Sequence, residues 1–269
     1  MMLNGSWARL ALCGISALVL SACVTLPPGA QPSPQDPYER WNRGVYKFND
    51  VVDRAVTKPA ARAYVYVVPH PIRVGIGNFF ANLNTPTVMI NDALQGKLKA
   101  AGVDLARLLL NTTAGIGGLL DPATQVGLAR NEEDFGQTLG KWGVHPGPFI
   151  ELPILGASDL RDAPAKVVDV YTNPRQYIDN SYVKFSLWGL DLLVVRSDLL
   201  SLDTTLQSVF DPYAFIRDAY LQRRAYLVAD GEVKDEAPLV DPDAAEAGPG
   251  PGPTPAPAPI PPPVPTPPQ

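Results

Sequence analysis

Proline is distributed along this chain in a way that confines any folded core to its middle. Fourteen of the 30 prolines lie in residues 238–269, where they alternate with Ala, Gly and Thr. Such a segment has little apolar surface to bury, so it is expected to sample disordered and polyproline II conformations. Residues 24–35 carry four more prolines and no charge, which is typical of a flexible tether. The sequence therefore predicts a folded domain at residues 36–231, a tether at 23–35 and an acidic, then Pro-rich tail at 232–269.

The N-terminus has the form of a secretion signal. After Arg9 the chain is apolar over residues 10–20, which is too short for a membrane-spanning helix of about 20 residues. This stretch ends in Leu20-Ser21-Ala22-Cys23, which resembles the signal of bacterial lipoproteins, whose cysteine is acylated and becomes the mature N-terminus. We therefore expect a signal peptide at residues 1–22 and acylation of Cys23. An ordinary signal peptide with a chance cysteine is the alternative.

The residue after the cysteine bears on the membrane that holds the anchor. An aspartate at this position would suggest retention at the inner membrane, whereas this chain has Val24. The sequence therefore favours the outer membrane.

Charge is concentrated in the tail. Residues 230–246 contain seven acidic side chains against Lys234 alone, whereas residues 24–229 contain 20 acidic and 20 basic side chains. A neutral body has no excess of positive charge to follow a phosphate backbone. The sequence therefore argues against nucleic acid as a partner.

Apolar residues in the middle of the chain recur at three- and four-residue steps, which is the period of an amphipathic helix. The first helix is expected to begin behind an N-cap at Asp36 and to end at Pro59. Its apolar stripe consists of Trp41, Val45, Phe48, Val52 and Val56.

Other punctuation along the chain predicts further helices. Thr85-Pro86 is expected to open a helix that Gly96 closes, and Asp211-Pro212 to open the last one, which runs to Gly231. Residues 65–68 are the one short run considered as a strand. The expected fold class is mainly α, with seven to nine helices and short irregular connections.

Two segments differ from the surface of an ordinary soluble helical bundle. Residues 74–91 and 108–120 carry no charge, yet the first contains four asparagines and the second ends in a glycine cluster. Such helices suit burial in a core, and they equally suit the headgroup boundary of a membrane leaflet. The candidates for a membrane-facing stripe are Ile72, Ile76, Phe79, Phe80 and Leu83.

Patterns that would indicate catalysis, a metal or a cofactor are not found. The glycines at 115–118 follow a helical run rather than a strand, so they are not expected to form a dinucleotide-binding loop. His70 and His145 are interpreted as structural, and Asp159 and Asp162 around Arg161 as a structural ion pair. Once Cys13 leaves with the signal and Cys23 is acylated, no thiol is left for a disulfide, a metal or a nucleophile. We expect a protein that is not an enzyme.

Residues 133–162 are broken by glycine or proline every few positions but are rich in apolar side chains. Long irregular segments of this kind usually have a function, and a hydrophobic hairpin that moves over a lipid-sized opening would have this composition. The hypothesis is that residues 136–156 gate a lipid path; a static loop packed on the core is the alternative. The gate candidates are Gly136, Gly140, Trp142, Gly143, Gly147, Pro148, Phe149, Leu152 and Pro153.

Taken together, these motifs resemble the MlaA (VacJ) family of outer-membrane lipoproteins from residue 36 to about residue 231. The blocks that carry the resemblance are Asp36-Pro37, Asn42-Arg43, Phe48-Asn49, Leu94-Gln95-Gly96, Leu109-Leu110-Asn111-Thr112, Gly115-Ile116-Gly117-Gly118, Phe135-Gly136-Gln137-Thr138-Leu139-Gly140, Gly143-Val144, Gly147-Pro148, Leu152-Pro153, Arg161-Asp162 and Asp211-Pro212-Tyr213. The tail lies outside the shared body.

The resemblance implies a ring-shaped, membrane-embedded domain of helices on the periplasmic side of the outer membrane of a Gram-negative bacterium. Through an amphipathic channel, such a protein removes phospholipids that have strayed into the outer leaflet. It works beside a trimeric porin and passes lipid to a soluble periplasmic carrier. Two alternatives from other classes are a structural lipoprotein that binds porins or cell wall, and a membrane-associated lipid hydrolase.

Overall fold

Helices account for most of the residues that the computed structural model describes, which are residues 33–232. The α-helices are α1 (Glu39–Val52), α2 (Lys58–Val67), α3 (His70–Leu94), α4 (Leu98–Thr113), α5 (Pro122–Gln125), α6 (Phe135–Lys141), α7 (Asp162–Thr172), α8 (Ser181–Asp198), α9 (Asp203–Ser208) and α10 (Pro212–Val228). A π-helical segment (Asp53–Thr57) and two 3₁₀ segments (Pro174–Tyr177 and Leu199–Leu202) connect some of them. The mainly α fold class is confirmed. The signal peptide, Cys23, most of the tether and nearly all of the tail lie outside the described residues, so those predictions stay predictions.

Pro59 does not end the first helix, contrary to the prediction. The chain continues from α1 through Asp53–Thr57 into α2, and the N–H of Lys58 bonds to the carbonyl of Asp53, five residues earlier. Proline inside an α-helix clashes with the carbonyl four residues before it. The wider π turn directly ahead of Pro59 takes up this conflict, so the helical path bends into α2 instead of stopping.

Pro86 also lies inside a helix, and it does not open one as predicted. The 25-residue helix α3 runs through it and ends at Leu94, and Gly96 follows with a φ of 79°, as expected for a helix-ending glycine. Residues 65–68, considered as a strand, belong mostly to α2. In both places, packing between helices overrides the local preference of the sequence.

Asp36 does not cap α1, because that helix begins at Glu39 without a side-chain cap. The carboxylate of Asp36 is instead fully buried. It accepts a 2.7 Å hydrogen bond from Asn42 Nδ2 and a second bond from the hydroxyl of Tyr213. The same Asp-Pro pattern does cap α10, where the Asp211 side chain accepts from the N–H of Ala214.

A hairpin that the sequence analysis did not predict as strands lies between α6 and α7. Strands β1 (Phe149–Leu152) and β2 (Gly156–Asp159) pair antiparallel, with Phe149 opposite Asp159 and Leu152 opposite Gly156. Phe149 is fully buried and meets the rings of Tyr213 and Tyr220 edge-on, at centroid distances of 6.2 and 5.9 Å. The base of the hairpin is therefore packed against α10.

A small apolar cluster holds the other end of the fold together. It consists of Tyr64 on α2, Phe80 on α3 and Val194 on α8, with half-buried neighbours such as Ile76 and Phe79 around it. Each of the three helices contributes one buried side chain to the cluster.

Burial elsewhere is inverted relative to a soluble protein. Within residues 33–232, 20 polar or charged side chains are buried against ten hydrophobic ones, and 36 large hydrophobic side chains are exposed. Soluble proteins bury mostly apolar residues, and extended exposed apolar surface marks a contact with membrane or protein. None of the helices described is both long and apolar enough to cross a bilayer.

Candidate functional site

The amides of α3 form a polar face that bonds to neighbouring elements, with Asn82 buried and Asn84 exposed. Asn82 is buried and donates a 3.0 Å hydrogen bond to the hydroxyl of Thr112 on α4. Asn84 accepts from Asn173 at 3.0 Å, after α7. The uncharged character of residues 74–91 therefore has a structural explanation in part, since these amides bond to side chains of neighbouring elements.

Glycine permits the close approach of the segment after α4 to this face. Gly118 has a φ of 92°, and a Cβ placed on it would lie 2.6 Å from the Cβ of Asn82. A side chain would therefore collide with α3. Gly118 therefore serves the packing of this segment against α3.

Two cavities lie along this face of α3. The first has a volume of about 430 Å³ and also contacts α4, the segment 121–137 and α10; the second, of about 500 Å³, lies between α3 and α8. Both are lined by Asn78, Ala81, Asn84 and Arg130, so they adjoin at these four residues. The polar face of α3 thus borders a passage with two chambers.

The two chambers differ in charge. The first is lined by four arginines and five carboxylates, and the second by three arginines and two aspartates. In the first, Arg107 pairs with Asp121 at 3.0 Å and Arg224 with Asp134 at 2.6 Å. In the second, Arg175 pairs with Asp191 and lies over the ring of Trp188.

Carboxylates beside the first chamber have shifted pKa values. Burial, together with the neighbouring Asp104, raises the pKa of Asp92 to about 8. Burial also acts to raise the pKa of Asp121, but hydrogen bonds from Thr124, Asn111 and Arg107 outweigh it and lower the pKa to about 2. At neutral pH, the carboxyl of Asp92 beside the first chamber is therefore mostly protonated, whereas the carboxylate of Asp121 in its wall is ionised.

The cluster around Arg161 is structural, as interpreted from the sequence. Arg161 Nε contacts Asp162 Oδ1 at 2.7 Å, and Arg224 Nε contacts the other Asp162 oxygen at 2.5 Å. Burial, followed by the carboxylates of Asp162 and Asp159, raises the pKa of Tyr220 far above its usual range. These groups join α10 to the start of α7. In residues 33–232, no three His, Cys, Asp or Glu side chains are placed to hold a metal ion. His70 and His145 are both exposed.

The gate candidates fall into two groups, and three of them are closely packed against other parts of the protein. Gly136 and Gly140 lie in α6 without positive φ, and both have protein atoms within 3 Å of where a Cβ would stand. They allow close packing and are not backbone hinges. Phe149 is fully buried under α10 and is not a flap residue.

The other gate candidates lie nearer the surface. Gly143 and Gly147 have φ values of 90° and 69°, which side-chain-bearing residues rarely adopt. Trp142 is exposed, although its Nε1 donates to the carbonyl of Leu94 at 3.1 Å. Pro148 and Leu152 are half-buried and Pro153 is exposed at the hairpin turn.

The hairpin turn is fastened to α1 by a residue that the sequence analysis did not assign to the site. Asn49 Nδ2 donates to the carbonyl of Leu152 at 3.0 Å, and Asn49 Oδ1 accepts from the N–H of Ile154 at 2.7 Å. Beyond this clamp, Ile154 and Leu155 are each about two-thirds exposed. Asn42 and Asn49 had been noted only as motif positions, because nothing in their spacing shows that they reach a segment 100 residues away.

The membrane-facing candidates are not all at the surface. Ile72 is exposed, whereas Ile76, Phe79 and Leu83 are half-buried. Phe80 is buried in the apolar cluster with Tyr64 and Val194, so its assignment to a membrane-facing stripe is wrong. The stripe on α3 therefore contains both buried and exposed residues, because neighbouring helices cover only part of its length.

Comparison with known proteins gives a consistent result. The family model described as MlaA lipoprotein matches residues 34–227. Over 232 residues, the chain is 35% identical to the intermembrane phospholipid transport system lipoprotein MlaA of Escherichia coli (strain K12), and the match covers 85% of this chain and 92% of that protein. The protein of the same name from Haemophilus influenzae is 35% identical over 227 residues, which cover 81% of this chain and 90% of that one.

A solved structure agrees with the sequence comparisons. It comes from work on the structural basis for maintenance of bacterial outer membrane lipid asymmetry, and it matches with a TM-score of 0.65 and 36% identity. The match covers 72% of this chain and 98% of that chain. The chain described here belongs to the MlaA lipoprotein family.

Proposed function

We propose that this protein removes mislocalised phospholipids from the outer leaflet of the outer membrane and passes them to a soluble periplasmic carrier, which maintains lipid asymmetry. The observation that carries the proposal is the inverted burial: many large apolar side chains are exposed, while amides and charged side chains line two adjoining chambers. An apolar exterior suits a leaflet of acyl chains, whereas a polar passage suits headgroups. Membership of the MlaA family and the printed names of the relatives support it.

The size of the chambers suggests which part of the lipid enters them. Volumes of about 430 and 500 Å³ lie within the usual range for small-molecule pockets. We expect the headgroup to travel along the amide face of α3 while the acyl chains stay near the apolar surface. The protein is proposed to act without changing the lipid, and hence not as an enzyme.

The decisive experiment removes the gene and measures phospholipid exposed at the cell surface. We expect deletion to increase surface phospholipid and the wild-type gene to reverse the increase. Lipid extracted from the purified protein is then identified. Intact phospholipid supports the proposal, the lack of any lipid favours the structural lipoprotein, and lysophospholipid favours a hydrolase.

Anchoring is proposed to occur through acyl chains on Cys23, at the periplasmic face of the outer membrane. Two or more buried acyl chains are enough for stable attachment, since each methylene contributes about 0.8 kcal/mol. Cys23→Ala is expected to leave unprocessed precursor or material released from the membrane. Incorporation of labelled acyl chains into the Cys23→Ala protein contradicts this. A trimeric porin beside the protein is the further expected partner, and co-purification with porin trimers tests it.

The gate is proposed to be the tip of the hairpin, residues 153–155, together with the glycines at 143 and 147. The clamp from Asn49 keeps the turn in place and must open if the tip moves. A disulfide between Asn49→Cys and Ile154→Cys would replace the clamp with a covalent bond. We expect the oxidised protein to fold and to lose transport, and a reductant to restore it. Transport at the unlocked rate by the oxidised protein would mean that the hairpin is a static element.

A further inference from the structure

Two arginines in the passage lack the carboxylate partners that the other arginines have. Arg130 is exposed and lines both chambers, and it forms no ion pair and no side-chain hydrogen bond within residues 33–232. Arg73 lines the second chamber, and in the same range its side chain bonds only through Nε, to the carbonyl of Val68 at 3.1 Å. Its two Nη groups have no protein acceptor there.

Arg73 and Arg130 differ from the other arginines of the passage in having no carboxylate partner within residues 33–232. Each of the other four in the passage contacts at least one carboxylate; these four are Arg107, Arg175, Arg223 and Arg224. The charge of a paired arginine is balanced by the carboxylate beside it. The second chamber has three arginines against two carboxylates, Asp191 and Asp198, so it has one more positive than negative side chain. The guanidinium groups of the passage without an ion pair in residues 33–232 are those of Arg73 in this chamber and Arg130 at its junction with the first.

Neutral donors accompany the two guanidinium groups. Asn84 and Asn78 line both chambers beside Arg130. The Oδ1 of Asn84 is occupied by Asn173, and its Nδ2 makes no hydrogen bond within residues 33–232. An amide N–H and guanidinium forks are the donors that recognise phosphate oxygens, often through two parallel bonds from arginine.

We propose that Arg130 and Arg73, with the amide of Asn84, bind the phosphate of a phospholipid headgroup as it passes between the two chambers. The proposal rests on the proposed transport function and adds a specific stopping point to it. The first chamber has more carboxylates than arginines, so the phosphate is expected to reside on the side of the second chamber. Free phosphate has the same chemistry, and the experiment separates the two sources.

The test uses the full chain purified from membranes in detergent. Its lipid probe is phosphatidylglycerol with a photoreactive acyl chain, and diacylglycerol with the same acyl chains is the probe without phosphate. Arg130→Gln and the double variant with Arg73→Gln are compared with Arg62→Gln, an exposed arginine of α2 that lines neither chamber. Circular dichroism verifies the fold of each variant.

We expect the double variant to need about tenfold more phosphatidylglycerol for half-maximal capture, as for the loss of a charge-assisted hydrogen bond. Capture of diacylglycerol should not change, Arg62→Gln should behave as wild type, and Arg130→Lys should recover part of the loss. Equal capture of phosphatidylglycerol by wild type and the double variant overturns the phosphate site while transport still stands. An equal loss for both lipids also overturns it, because the effect would not depend on phosphate.

Inorganic phosphate, followed by phosphorus NMR, identifies the source. If inorganic phosphate binds weakly or not at all while the lipid is captured strongly, the result supports the lipid headgroup as the source of the bound phosphate. Wild-type protein that captures no phosphatidylglycerol but binds inorganic phosphate through Arg130 overturns the lipid source and the transport function with it. Wild-type protein that binds neither overturns both the site and the function.

Discussion

Asn42 Nδ2 donates a 3.0 Å hydrogen bond to the carbonyl oxygen of Phe149, a residue 107 positions further along the chain. The same nitrogen donates to Asp36 Oδ1 at 2.7 Å, and Asn42 Oδ1 accepts from the N–H of Glu151 at 3.0 Å. Asn42, Asp36 and Phe149 have essentially no exposed surface. One amide thus holds the base of the hairpin against α1 and satisfies buried groups that water does not reach.

Asn42→Ala should therefore lower the free energy of unfolding by about 2–4 kcal/mol, because three buried partners lose a hydrogen bond at once. Denaturant unfolding in detergent, followed by tryptophan fluorescence, measures the effect. The control is Asn180→Ala, which removes the exposed N-cap of α8 and should cost about 1 kcal/mol. If the two variants lose the same stability, the contacts of Asn42 are not the main support of the hairpin.

Gly140→Ala should destabilise the fold by about 1–3 kcal/mol. A Cβ at this position would lie 2.7 Å from Arg161 Nη1 and 2.8 Å from Val228 Cγ1, so these two side chains or α6 must move. Gly102→Ala is the matched control, since Gly102 lies within α4 with open space around it. Alanine should stabilise there by about 0.5–1 kcal/mol. Thermal unfolding of both variants tests the pair, and a neutral Gly140→Ala would restore the hinge interpretation of this glycine.

Asp92→Asn should stabilise the protein, and the gain should grow from pH 4 to pH 8. The raised pKa of Asp92, about 8, means that its contribution to stability is complete below the unfolded pKa and is lost as pH rises toward 8. Asparagine stays neutral at every pH and avoids this loss, so the difference in stability between the variant and the wild type widens as pH rises. Unfolding midpoints at several pH values measure the trend.

Asp121→Asn is the counterpart of opposite sign. The pKa of Asp121 is lowered to about 2, so its contribution to stability is present above about pH 4 and is lost as pH falls toward 2. The variant should be less stable than wild type near neutral pH, with the difference shrinking in acid. Parallel pH profiles for Asp92→Asn and Asp121→Asn would contradict the assignment of both carboxyls.

Cysteine labelling separates lipid contact from burial in protein. A cysteine replacing Ile72 should react slowly with a polar maleimide in intact outer membranes and rapidly in a detergent that exposes the surface, because Ile72 is exposed on the protein. A cysteine replacing Phe80 should react slowly in both, and one replacing the exposed Lys99 rapidly in both. Rapid labelling at position 72 in membranes would place this end of α3 in water.

Local signals in the sequence were sufficient for the mainly α class, the glycine that follows α3 and the Asp-Pro cap of α10. Each depends on a few neighbouring residues, whose helical period or φ preference acts within one or two turns. Family membership likewise followed from short motifs in a fixed order. These features are properties of the chain itself, and they need no knowledge of what each segment packs against.

Only the tertiary structure decided what those segments do together. The same Asp-Pro pattern caps α10 but leaves Asp36 buried among Asn42 and Tyr213, because α10 covers the start of α1. The π turn ahead of Pro59 lets the helical path continue into α2, and Pro86 lies within α3, where packing between helices outweighs the lost local bond. Arg73 and Arg130, which form no ion pair within residues 33–232, follow the same rule. Whether Arg130 contacts a carboxylate depends on which side chains the fold brings near it. Spacing along the sequence does not predict these distances in space.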